Sequence, residues 1–194
     1  MRGDVSPAKL IGPQISKGPG WTGGARVPDG RIFFAPSSAT SVLCFDPATG
    51  EASFIGKISG RGKYSDAALG ADGAVYFVPC HARRVMRLDP RTLVISFIGD
   101  DLGSGLFKWY GGVLAPDGCI LCAPGHSSKV LCIDTNAQST SLIGEDFSNL
   151  GTTTFKWNSP VLAPDGLISQ RGADECKARQ DMRRTEHLDV LNLS

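Results

Sequence analysis

The residues in this chain with the most reactive side chains do not assemble into a familiar catalytic motif. Cys119, Cys122, His126 and Cys132 have a spacing similar to that of a zinc knuckle. Cys119 and Cys122, however, fall within one short apolar run that reads as a strand, where an odd separation points them to opposite faces. Cys44 and Cys132 hold equivalent places in a repeat described below, and Arg87 fills that place between them. Packing in a reduced compartment is therefore the expected role of the cysteines, rather than a disulfide framework or a metal. The stretch Gly60-Arg61-Gly62-Lys63 has the composition of a phosphate loop, but no glycine lies five before Gly62 and Tyr64 replaces the required hydroxyl residue. The three histidines, His81, His126 and His187, are assigned to unrelated positions, which leaves no Ser–His–acid set. Arg2-Gly3-Asp4 and the terminal Asn192-Leu193-Ser194 spell an adhesion tripeptide and a glycosylation sequon, each expected by chance without a secretory signal.

The most regular candidates are aspartates, and their regularity exposes the architecture. Trp21–Gly56, Tyr64–Gly99 and Trp109–Gly144 are three copies of one unit. In each, an Asp-Gly pair (Asp29, Asp72, Asp117) follows the opening aromatic by eight residues. A proline (Pro36, Pro79, Pro124) stands six past that glycine, a second aspartate (Asp46, Asp89, Asp134) ten past the proline, and a closing glycine ten further on. Such a period decides the fold before any local propensity does. Repetition at turns makes these aspartates caps for their own backbone rather than catalytic acids.

Each unit divides into four short apolar runs; in the third they are 112–115, 119–123, 129–133 and 140–143. The first two are apolar almost throughout, as strands covered on both faces are, and the fourth is mixed, as an outer strand is. Four strands in roughly 45 residues is the unit of a β-propeller blade. The expected fold is all-β: an incomplete, open-arc propeller of four-stranded antiparallel blades, with no helix inside the three units. Its divisions are 1–20 (carrying Leu10-Ile11-Gly12, the last strand of a preceding blade), blades at 21–56, 64–99 and 109–144, the start of a fourth at 157–169, and a non-repeat tail at 170–194. The tail is charged and lacks turn residues after Gly172, which suits a weak helix, a disordered extension or the product of a frameshift.

Composition narrows the function classes. There are 24 glycines and 12 prolines in 194 residues, which suits a turn-rich β protein. The net charge of +1 sets up no global field toward nucleic acid or membrane. No apolar run reaches the roughly 20 residues of a spanning helix, and no signal peptide is evident, so a cytoplasmic location is expected.

The text VLAPDGCILCAPGHSSKVLCIDTNAQSTSLIG resembles the YVTN, NHL and gluconolactonase-like propeller repeats, over about Leu10 to Ile168. The resemblance implies blades; for activity it implies, at most, a lactonase-type hydrolase holding a divalent metal in the central channel. Such a metal needs converging oxygens, six to eight for calcium. Of the residues opening the innermost strands, only Asp66 and Asn158 are serviceable ligands, and their blades are not neighbours. No cofactor is therefore expected, and catalysis is not the favoured reading.

One constellation remains. Strands that run up and down a blade put the inter-blade joints and the loops between second and third strands on one face, with both kinds of aspartate turn on the other. Lys63, Lys108, Lys156, His81, Arg83, Arg84, His126 and Lys129 then collect on the joint face, with Tyr64, Trp109 and Trp157 beside their lysines. The aromatics would wedge adjacent blades and the lysines would be soluble rim, or the whole set would bind a protein or small anionic ligand. Variable joints on a constant scaffold favour a non-catalytic binding module; the alternatives are the metal-dependent hydrolase and a degenerate gene product. Self-association through open blade edges is the remaining partner expectation.

Overall fold

A computed structural model describes residues 20–151, 155–162 and 168–172. It contains three four-stranded antiparallel sheets and one two-stranded sheet, each built from strands consecutive in the chain. The first comprises β1 (Trp21–Arg26), β2 (Ile32–Pro36), β3 (Val42–Asp46) and β4 (Glu51–Ile55). The second comprises β5 (Tyr64–Leu69), β6 (Val75–Pro79), β7 (Val85–Leu88) and β8 (Ile95–Ile98). The third comprises β9 (Trp109–Leu114), β10 (Cys119–Pro124), β11 (Val130–Asp134) and β12 (Ser139–Ile143). The last pairs β13 (Trp157–Leu162) with β14 (Ile168–Gly172). The innermost strands β1, β5, β9 and β13 neighbour one another in that order. This is an arc of a β-propeller, and no helix interrupts the three full blades. Among the described residues one 3-10 turn, Ser148–Leu150, lies in the joint before β13.

The middle strand β6 is apolar and buried on both faces because the second blade is packed between two others. Along β6, Val75 and Phe77 enter the cluster shared with Phe33, Ala35, Val42 and Cys44 of the first blade. The alternate residues Tyr76 and Val78 enter the next cluster, with Trp109, Ile120, Cys122 and Leu131 of the third blade. A smaller cluster of Ala123, Phe147 and Trp157 joins the third blade to β13. Outer strands have only one covered face. Phe54, Phe97 and Leu142, each two residues before a closing glycine, are about half exposed (55%, 53% and 50%).

Two boundaries differ from the sequence reading for the same reason. The innermost strands begin at the aromatic itself, because Trp21, Tyr64 and Trp109 pair with Pro36, Pro79 and Pro124. A β-bulge one or two residues after the aromatic absorbs the extra residue and hides that pairing from a simple alternation. In the fourth unit the same rule pairs Trp157 with Gly172, so β14 extends past Ser169 through Gln170 and Arg171. The expected strand at Leu10–Gly12 and the rest of the tail lie outside the described residues.

The aspartates do cap their turns. The first carboxylate oxygen of Asp29, Asp72 and Asp117 accepts from the backbone N–H two residues on. Asp46, Asp89 and Asp134 do the same in the second turn. That second turn needs one residue in the left-handed region. Gly50 supplies it in the first blade at φ 74°, but Leu93 (φ 58°) and Gln138 (φ 52°) are forced into it in the others. An L-residue there costs roughly 1–2 kcal/mol, against about 0.5–1 kcal/mol of extra chain entropy for glycine. Leu93→Gly is therefore expected to raise stability by about 0.5–1 kcal/mol, read as a higher urea midpoint at unchanged slope; a lower midpoint would show that Leu93 contributes packing that outweighs its strain.

Candidate functional site

The hydrogen bonds fix the two faces. On one side the joints bond to the loops between second and third strands: Lys63 N–H donates to Ser37 O, Lys108 N–H to Cys80 O, and Lys156 N–H to Gly125 O. On the other side the turns bond to one another. Arg31, paired with Asp29, donates to Pro90 O at 2.7 Å. Tyr76 Oη lies 3.1 Å from Asp72 Oδ2 and 3.3 Å from Thr135 O of the next blade.

The joint lysines are not surface residues. Lys63, Lys108 and Lys156 are 5%, 5% and 6% exposed. Lys63 Nζ donates to the carbonyls of Ser37, Ala39 and Gly60 at 3.1, 2.7 and 2.7 Å. Lys108 Nζ donates to Ala82, Gly103 and Gly105 at 2.8, 3.3 and 3.0 Å. Lys156 Nζ reaches Gly125 and His126 carbonyls at 3.5 and 3.3 Å. Each ammonium is thus a plug between blades, cradled by backbone oxygens of the preceding blade and, for the first two, of the joint itself. Among the described residues no carboxylate pairs with any of them. Burial holds all three below the usual lysine pKa. The sequence reading put them on the exposed rim; the orphan carbonyls at each blade junction draw them inside.

The aromatics beside them are wedges. Tyr64, Trp109 and Trp157 are buried at 2%, 2% and 8% exposure. The indole N–H of Trp109 donates to Lys129 O at 2.8 Å, as Trp21 does to Ser41 O at 2.7 Å, tying the innermost strand to the start of the third. Hydroxyls one residue later link neighbouring blades: Thr22 Oγ1 donates to Tyr64 O and Ser65 Oγ to Trp109 O, at 3.0 and 2.9 Å. Tyr64, Trp109 and Trp157 therefore have little side-chain surface left to offer a partner.

What the joint face does expose is different. Arg61 and Arg84 are exposed and Lys129 is half-buried. Arg83 is exposed but pairs with Asp101. In the described joints and second-to-third loops, the segments 57–63, 80–84, 100–108, 125–129, 145–151 and 155–156 hold eight lysines and arginines against four acids. Those acids (Asp100, Asp101, Glu145, Asp146) directly follow the closing glycines Gly99 and Gly144 and do not belong to the set expected from the sequence.

The histidines also need correcting. His81 and His126 are equivalent, each two residues past its blade's proline. Their rings form a row with residues preceding the lysines. Phe107 lies edge-on to His81 at 4.5 Å and to His126 at 5.3 Å, and Phe155 lies 4.7 Å from His126. Tyr110 closes on Phe155 at 5.1 Å. Phe107 and Phe155 are 37% and 38% exposed. The Nε2 atoms of both histidines are buried without a hydrogen-bond partner. Burial lowers the pKa of His81, against a hydrogen bond to the Arg61 backbone that raises it. Phe107 has a positive φ of 54°, and Gly62 holds the equivalent place at φ 60° because a side chain there would strike the His81 ring. The signal was legible as Phe-Lys-Trp at 107–109 and 155–157, matched by Pro-x-His at 79–81 and 124–126.

The metal candidates are otherwise engaged. Asp66 Oδ1 accepts from Ala67 N at 2.8 Å and Oδ2 from Gly112 N at 3.3 Å, so its carboxylate tethers the third blade's innermost strand. Burial, the dominant influence, raises its pKa despite those bonds. Asn158 is exposed and accepts from Ser159 Oγ. No cluster of three His, Cys, Asp or Glu among the described residues is placed to hold a metal ion. Cys44, Cys80, Cys119, Cys122 and Cys132 are free thiols. Cys122 lies in the core between the second and third blades, whereas the Cys119 thiol lies against that of Cys132, so the knuckle spacing does not converge.

No family model matches the sequence, and no curated protein matches it. Solved structures do resemble the fold. Virginiamycin B lyase from Staphylococcus aureus superposes with a TM-score of 0.60 at 15% identity, over 79% of this chain and 49% of that one. A 6-phosphogluconolactonase candidate from Bacteroides uniformis gives 0.60 at 16%, over 80% and 48%. Hydrazine synthase from Kuenenia stuttgartiensis gives 0.59 at 18%, over 88% and 44%. The chain thus spans about half the length of these propellers, and at such identities the likeness is one of fold.

The lysine plugs generate a direct expectation. Lys108→Met removes the donor to three enclosed carbonyls and is expected to cost about 1–3 kcal/mol. Lys108→Arg should not restore it, because a rigid guanidinium fork does not fit a cradle shaped for a point charge. Phe97→Ser on the exposed outer strand should stay within about 0.5 kcal/mol. Urea denaturation of the three variants checks the order; an unchanged midpoint for Lys108→Met would show that water replaces the plug.

Proposed function

We propose that this chain is a non-catalytic propeller module that recognises an anionic partner through its joint face. The observation that carries the reading is the charge of that face, eight basic residues to four acidic in a chain whose net charge is +1, surrounding half-exposed rings. Three of the eight are the buried lysine ammoniums. They contact no partner, but their charge lies beneath the surface among carbonyl oxygens rather than beside carboxylates. Lys57, Arg61, Arg84 and Lys129 are left as the contact charges, with Arg83 engaged by Asp101.

Surface charges of this kind act mainly on association rate and are screened within about 10 Å at 0.1 M salt. With poly-L-glutamate as probe, the Arg83→Ala, Arg84→Ala, Lys129→Ala triple variant should associate more slowly than the parent at low salt, while its unfolding midpoint stays within about 0.5 kcal/mol. Biolayer interferometry across a salt series measures this. Equal association rates would refute the reading.

The second reading, a metal-dependent hydrolase or lyase, draws on the likeness to virginiamycin B lyase and to the lactonase candidate. It finds no convergent donor set here, since Asp66 is engaged by two backbone amides and Asn158 stands alone on the described part of its blade. Ligands that bind the native state raise its melting temperature by mass action. Saturating calcium or zinc is expected to leave the melting temperature of this chain unchanged; a clear rise would favour the enzymatic reading.

A further inference from the structure

His81, Phe107, His126 and Phe155 form a continuous row of four rings across two blade junctions, at centroid separations of 4.5, 5.3 and 4.7 Å. Blade packing does not require it. The wedges that close the junctions are Trp109 and Trp157, one residue inside Lys108 and Lys156, and they are buried. Phe107 and Phe155 stand on the outer side of those lysines, each more than a third exposed. Phe107 stands there in the left-handed region, whereas the equivalent Gly62 takes the same conformation without strain. A strained, exposed ring kept where glycine would serve the backbone better points to a contact rather than to a core.

The edge-to-face arrangement, with interplanar angles of 85°, 64° and 63°, leaves ring surface available to a further aromatic group. The row runs across two blade junctions, and a single small molecule would cover only part of it. The same joints and loops carry Arg61, whose backbone hydrogen-bonds His81, and Arg84 and Lys129, while Lys108 and Lys156 are buried one residue after Phe107 and Phe155. Of the four acids in the same joints, Asp101 is engaged by Arg83 and Asp146 by the backbone of Ser148, while Asp100 and Glu145 are exposed.

We propose that this row is the contact surface for an extended acidic peptide segment carrying aromatic side chains, the rings seating on Phe107 and Phe155 and the carboxylates facing Arg61, Arg84 and Lys129. The proposal rests on the anion-binding reading of the joint face and names its partner's chemistry. It assigns the aromatic row, which charge alone does not use, a share of the recognition.

Fluorescence anisotropy of the full chain with three labelled peptides tests it, one alternating aspartate and tryptophan, one aspartate and alanine, and one lysine and tryptophan. The first should bind at least about tenfold tighter than either of the others. Phe107→Gly adopts the backbone that Gly62 already has, so it should keep its urea midpoint while losing about tenfold toward the aspartate–tryptophan peptide. Phe155→Ala should lose a similar factor, and it decides the matter if Phe107→Gly does not fold. Neither variant should change binding of the aspartate–alanine peptide. If the two acidic peptides bind equally, or both variants bind like the parent, the aromatic row is overturned while the basic face survives. Equal binding of the lysine–tryptophan peptide, or no binding of either acidic one, overturns both. If free indole-3-acetate binds as tightly as the aspartate–tryptophan peptide, the partner is a small aromatic anion and the peptide is overturned.

Discussion

The junctions between blades depend on a positive charge held by backbone oxygens. A propeller turns its chain back toward the axis at every joint, and that reversal gathers backbone carbonyls of the preceding blade within reach of one side chain. An ammonium on a flexible stem suits such a cluster, since it carries three donors and no shape of its own. Lys63 and Lys108 do so with three carbonyls each, and Lys156 repeats the contact with two. The usual cost of burying a charge without a counter-ion is offset by these oxygens. It also explains why the lysines sit next to wedge aromatics: the plug closes the loop layer while Tyr64, Trp109 and Trp157 close the layer beneath.

Much of this fold was legible before any coordinates. The three four-stranded antiparallel units followed from the spacing of aspartates, glycines and prolines, because the turns that need those residues recur at fixed intervals. The interior followed from apolar runs too continuous for a one-sided sheet. Strand starts did not. The bulge after each aromatic breaks the alternation that locates a strand, and only the pairing of Trp21 with Pro36 or Trp157 with Gly172 reveals where the ladder begins.

The joint face was harder to read, for a physical reason. Sequence gives the side of the sheet on which a loop emerges, and that side was assigned correctly; it does not give the depth of a long side chain. Lysine can lie in solvent or thread inward, and here Lys108 threads inward while Arg84 stays out. The opposite mistake concerned Phe107 and Phe155. Large apolar residues are ordinarily read as core, so their place on the outer side of the lysines, beside His81 and His126, escaped notice. The equivalence of those two histidines was available from their distance to Pro79 and Pro124.

The lysine plugs carry an implication for how such a chain could arise. A junction closed by main-chain oxygens is indifferent to the side chains of its neighbour, since every residue but proline offers the same N–H and all offer the same carbonyl. The joint chemistry therefore does not distinguish one blade from another, and the three joints of this chain share it across loops of different length. Gene segments encoding single blades could be duplicated, lost or reordered with their junctions still fitting. Only the side chains lying outside the plugs would then need to diverge for each blade to acquire a contact of its own.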